Sequence, residues 1–143
     1  MTRLSGRVFA LCGLWMALLG VYFIFLRPAL LPEDPRFMGT SLDALRVAAP
    51  GLERWLGLVF HVMGGFMVAA GALTILIAWR FLDTRAPGTL PAMMVAGAFS
   101  LGLMSATNFM LHSDFRWTLF APALLWLVGL ARYAREGPRT RAS

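Results

Sequence analysis

Two residues carry the only imidazoles in this 143-residue chain, His61 and His112, and each lies in a long apolar run. Two imidazoles presented by different helices are the ligand set of a haem iron. Gly64 and Gly65 follow His61 closely and would leave room for a flat ring, with Arg54 and Arg116 placed to meet its propionates. A second reading needs no haem. His61, Asn108, His112, Gly64 and Gly65 would form a polar cluster in an outer-half pocket for a lipid-like or apolar ligand. A third is purely structural: His61 bonds Asn108 or a hydroxyl across two helices, a contact of about 0.6–2 kcal/mol that fixes register. No metal site is assigned, because two histidines with Asp114 or Glu53 nearby match no zinc or copper spacing. No catalytic set is assigned either. Ser100 and Ser105 have no His–acid partner at a telling spacing, and the chain has no phosphate-binding glycine loop and no HExxH. A non-enzymatic protein is expected.

The elements that must position these residues are membrane spans. The chain is 59% hydrophobic and 14% charged, with a mean hydropathy of +0.70, against about 45–50% and 25% in soluble domains. The apolar residues gather in uncharged runs long enough for a hydrocarbon core of about 30 Å. Four spans are predicted at about 8–26, 55–79, 90–112 and 117–133, within one integral membrane domain covering 1–143. The fold class is all-α, a four-transmembrane-helix bundle with a structured outer loop, 28–54, between helices 1 and 2. Trp55 and Trp79 bracket the second span, and Trp117 opens the fourth, as interface anchors. The first span keeps too long an apolar run for a signal peptide. Gly13 and Gly20, on one of its faces, would admit a neighbouring helix closely. Gly57, His61, Gly64, Val68 and Gly71 form a stripe on the second span. Gly97, Ser100, Met104, Thr107, Asn108 and His112 share an arc on the third, and the two polar arcs are expected to face each other. Pro122 can kink the fourth span early. Cys12 is the only cysteine and reads as a small buried apolar residue.

All thirteen basic residues are arginine, and they flank the apolar runs instead of forming a patch, so nucleic acid is not an expected partner. The bilayer is, together with a membrane-protein partner or a second copy. No Asp, Glu or Arg lies in the interior of a span, which lowers the case for a proton-coupled transporter. With four spans, eight arginines fall on the side of the termini and five on the other, so the termini should be cytoplasmic. In the outer loop three prolines forbid a continuous helix through 26–39. Thr40-Ser41-Leu42-Asp43 then offers an N-cap hydroxyl with an acid three residues later, ahead of a short amphipathic helix over Asp43–Ala49 with Leu42, Leu45 and Val47 partly inward. Glu33 and Asp34, between Pro32 and Pro35, can pin the loop over the pocket mouth through Arg36, Arg54 or Arg116.

Leu31-Pro32-Glu33-Asp34, Phe37 and Gly39, Pro50 and Leu52, and His61 ahead of Gly64-Gly65 together form an LPED…FxG…PxL…HxxGG pattern. It resembles that of a family of small bacterial four-helix membrane proteins without an assigned function. The family's acid and base after the histidine are Val62 and Met63 here. The resemblance implies a multi-pass protein of the bacterial inner membrane in which the loop and His61 act as one unit.

Overall fold

A computed structural model describes residues 4–82 and 84–136. Arg3, Arg139 and Arg141, which enter the arginine count above, lie outside the described residues. Among those residues every regular element is helical. Four helices are long and apolar enough to cross a membrane: α1 (Leu4–Phe25), α4 (Leu52–Arg80), the composite helix Thr89–Met110, and α7 (Arg116–Arg135). The composite helix is α5 (Thr89–Gly97), one π-helical turn (Ala98–Gly102) and α6 (Leu103–Met110). Two short helices, α2 (Glu33–Phe37) and α3 (Leu42–Ala48), occupy the first loop.

The ends of these elements follow from local chemistry. Ser41 accepts a hydrogen bond from the Ala44 amide (3.1 Å) and caps α3, one residue after the hydroxyl whose spacing to Asp43 suggested the cap. The expected inward set is corrected at one position: Leu42 and Leu45 are half-buried, but Val47 is 83% exposed. Three prolines do break the preceding segment, yet one helical turn forms through Pro35. Pro35 is the third residue of α2, where a first-turn amide has no intrahelical acceptor to lose. Pro122 is buried within α7, and the helix continues through it.

The long helices pack in the spatial order α4, α1, α7, α5–α6. The α1–α4 contact is the closest. Gly13 lies against Gly71, and Gly20 against Gly64, so backbone meets backbone at two levels seven residues apart. Phe9, Cys12 and Met16 of α1 pack with Trp126 and Tyr133 of α7 and with Met93 and Leu101 of the composite helix. Phe9 meets Trp126 edge-to-face at 4.9 Å, and the Trp126 indole N–H donates to the Met93 carbonyl at 3.0 Å. Cys12 is fully buried, as its place in an apolar run implies. At the terminal side the Glu136 carboxylate accepts from Ser5 Oγ (2.5 Å) and from the Ser5 amide (3.3 Å), placing a carboxylate on the first turn of α1. Arg85 stacks on the Tyr133 ring (4.6 Å) and donates to the Tyr133 carbonyl (3.0 Å).

Only 22–28% of residues in the apolar windows of the four long helices are buried within the protein. Leu18, Phe66, Leu73 and Leu127 are each more than half exposed. Apolar surface of this extent on four parallel or antiparallel rods calls for hydrocarbon as solvent.

Candidate functional site

The order of the helices leaves a gap. α4 and the composite helix are consecutive in the chain, but they share no packed interface among the described residues. Between them, floored by α1 and roofed by the first loop, lies a cavity of about 1040 Å³. This is at the upper end of the roughly 300–1,000 Å³ typical of small-molecule sites. On α1 its wall runs from Trp15 to Phe23 and continues past the helix end to Arg27; the helical part is about 12 Å along the axis, close to the ~15 Å of half a hydrocarbon core. Phe66 and Phe99 belong to the lining, yet are 72% and 74% exposed, so the cavity is a groove open to the side. Most of its wall is apolar: Leu19, Leu56, Met67, Leu101, Met104 and Leu119 among others.

Most of its polar lining gathers at the loop end, with Ser100 the exception at mid-span. Arg27 lies with its guanidinium carbon 3.6 Å from the Phe60 ring centre and 5.1 Å from that of Phe23. Such stacking contributes on the order of 0.5–2 kcal/mol. Arg27 Nη1 donates to the Pro28 carbonyl (2.8 Å) and the Ala29 carbonyl (3.4 Å). Burial lowers its pKa, and the negative charges of Asp34 and Glu33 oppose that shift. A guanidinium stays protonated throughout, so a permanent positive charge is held at the groove's end. Asp34 lines the same end and accepts from the Leu31 amide at 2.7 Å. Asn108 also lines the groove, its amide nitrogen bonded to the Met104 carbonyl at 2.9 Å one turn earlier.

The loop is pinned here, though not through an arginine on Glu33. The Glu33 carboxyl accepts from Ser113 Oγ at 3.0 Å, and both residues are buried. This joins the first loop to the connection between the composite helix and α7. An exposed Arg36–Asp114 contact at 3.5 Å adds a second tie, of the kind that contributes about 0–1 kcal/mol. Arg116 donates to the His112 and Ser113 carbonyls, and Arg54 is exposed on the first turn of α4.

The histidines stand apart from the groove. His61 is exposed on α4, with Nδ1 2.9 Å from the Gly57 carbonyl of its own helix. The expected pairing of His61 with Asn108 is therefore absent: each is tied to its own helix, and the two helices have no shared interface. Gly64 and Gly65 also part company. Gly64 is buried against Gly20, whereas a side chain added at Gly65 would meet nothing within 4 Å. His112 follows the last turn of α6 in a left-handed conformation (φ 51°) and is exposed. The Ser113 amide bonds back to the Asn108 carbonyl at 3.0 Å, as in a helix-terminating motif that glycine favours. His112→Gly is expected to keep or raise stability, by up to ~1 kcal/mol. Thermal melting of the purified protein in detergent checks this, and a marked loss would give the imidazole a role its backbone does not require. Among the described residues no three His, Cys, Asp or Glu side chains converge on one point.

Arg27 and Ser113 are the site residues that sequence reasoning passed over. Arg27 reads as a span-flanking charge, and only Phe23, one helical turn before it, hints at a stacked guanidinium. Compared with protein-family models, curated proteins and solved structures, the chain matches none.

Proposed function

We propose that this is a non-enzymatic multi-pass protein of the bacterial inner membrane, with both termini cytoplasmic, that holds a lipid-like ligand in its groove, by itself or as the accessory subunit of a larger membrane assembly. The observation that carries this reading is the shape of the cavity. It is about one leaflet deep, apolar along its length, polar at its loop end, and open to the side between two helices. An acyl chain entering from the bilayer would lie along α1 without crossing a polar surface.

The test fills the groove. Thr107 is exposed and lines it, so Thr107→Trp adds bulk inside the groove without entering the packed core. Leu127→Trp, on an exposed face of α7 away from the groove, serves as the control. Native mass spectrometry after mild delipidation is expected to show bound lipid on the wild type and on Leu127→Trp, and at least about fivefold less on Thr107→Trp, a loss near 1 kcal/mol of binding. Equal retention by all three proteins would overturn the reading.

A further inference from the structure

The charges at the loop end of the groove narrow the class of ligand, an inference that rests on the lipid-binding reading above. Arg27 and Asp34 have opposite signs and line one end of one apolar groove. They do not form an ion pair with each other: no contact within 4.0 Å joins them among the described residues, although Asp34 is near enough to favour the charged guanidinium. Each is instead steadied by backbone. Arg27 uses only Nη1, on two carbonyls, and Asp34 uses Oδ2, on one amide. Nε and Nη2 of Arg27 and Oδ1 of Asp34 bond no protein atom among the described residues. A half-buried cation and an acid, adjacent but unpaired, leave donor and acceptor capacity at the mouth of an apolar slot. Charge-assisted bonds to a phosphate on one side and an ammonium on the other would use both.

We infer that the groove takes one acyl chain of a phospholipid whose head group bears a phosphate and a primary amine, the phosphate on Arg27 and the ammonium on Asp34. The side opening between α4 and the composite helix lets the second chain remain in the bilayer. The stacking of Arg27 on Phe60 and Phe23 fixes the guanidinium plane before the ligand arrives, so little side-chain freedom is lost on binding. A purely anionic head would satisfy Arg27 but would set its charge against Asp34. A head without charge would leave both groups unanswered.

The experiment adds dioleoyl phosphatidylethanolamine, dioleoyl phosphatidylglycerol and dioleoylglycerol, at equal concentration, to the delipidated full-length protein in a maltoside detergent, with retention read by native mass spectrometry. The wild type is expected to retain the amine-bearing lipid about tenfold over the other two, equivalent to ~1.4 kcal/mol. Arg27→Gln should lower retention of both phospholipids towards that of dioleoylglycerol. Asp34→Asn, which keeps an oxygen for the Leu31 amide, should abolish the preference for phosphatidylethanolamine over phosphatidylglycerol. Both variants should elute as the wild type does in gel filtration. Should either prove misfolded, the head-group ranking of the wild type decides alone. Equal retention of the three lipids, or a preference for phosphatidylglycerol, overturns the inference but leaves a lipid-holding groove. Retention of all three by Thr107→Trp at the wild-type level overturns the groove itself.

Discussion

Replacing Gly71 with valine is expected to lower the stability of the purified protein by about 3 kcal/mol or more, the severe end of overpacking, and its melting temperature by ~10 °C. A β-carbon at this position would overlap the Gly13 carbonyl oxygen and sit 2.7 Å from the Ala17 amide nitrogen. Both are backbone atoms of the neighbouring helix, so no side chain can swing aside, and the α1–α4 pair must separate. The same holds at the other level, where a β-carbon on Gly20 would lie 2.6 Å from the Gly64 carbonyl oxygen and 2.8 Å from the Val68 amide nitrogen. Gly65→Ala is the internal control. It is on the same helix and finds open space, so it should be neutral or gain up to ~1 kcal/mol in helix propensity. Melting curves in one detergent compare the variants directly. If the alanine at 65 and the valine at 71 behave alike, the close approach is not what holds the pair.

Gly97→Ala is expected to be nearly as damaging through a different contact. The added carbon would fall on the pyrrole ring of Trp126, against Nε1 and within 2.6 Å of Cε2. Trp126 is 2% exposed, so its ring has nowhere to go without losing the bond to the Met93 carbonyl and the edge contact with Phe9. An orphaned buried indole N–H costs about 1–3 kcal/mol, and disturbed packing raises the total to roughly 3–4 kcal/mol. Trp126→Leu removes the obstacle. The double variant should then be no less stable than Trp126→Leu alone, a coupling that melting of all four proteins measures. Strict additivity would show that Gly97 and Trp126 do not act on each other.

The spans were legible because charge ends them. Arg27, Arg54, Arg80, Arg116 and Arg135 bracket the apolar runs, and the observed helices stop within a few residues of the expected limits. A cap in Thr40-Ser41 was legible because a side-chain oxygen before a helix has few other uses, though the capping residue is Ser41 and not the hydroxyl three residues before Asp43. The faces were not. Lipid tails are as apolar as leucine, so nothing in the hydropathy of α4 tells its outward side from its packed side. His61 was assigned inward for its polarity, whereas it bonds its own Gly57 carbonyl and remains exposed. Glycine was the better guide, since Gly13, Gly20, Gly64 and Gly71 do mark a contact, but sequence could not say that the partner of α1 at those levels would be α4. The groove depended on something no local pattern carries: that α4 and α5, joined by a short turn, would stand apart. The π-helical turn at Ala98–Gly102 was equally silent in the sequence.

The position of α1 in the row bears on how the molecule is made. It is the earliest of the four long helices to be synthesised, yet it touches both α4 and α7 and carries Ser5, whose partner Glu136 follows the last helix. One flank of α1 can be covered as soon as α4 enters the bilayer, while the other stays open until α7 arrives. Assembly therefore closes onto its oldest segment from both flanks, and the groove takes shape only when the final pair docks. Under the lipid-holding reading proposed above, the future floor of the groove faces lipid until then, so an acyl chain would not have to find its way in. It would simply be left behind as the helices gather.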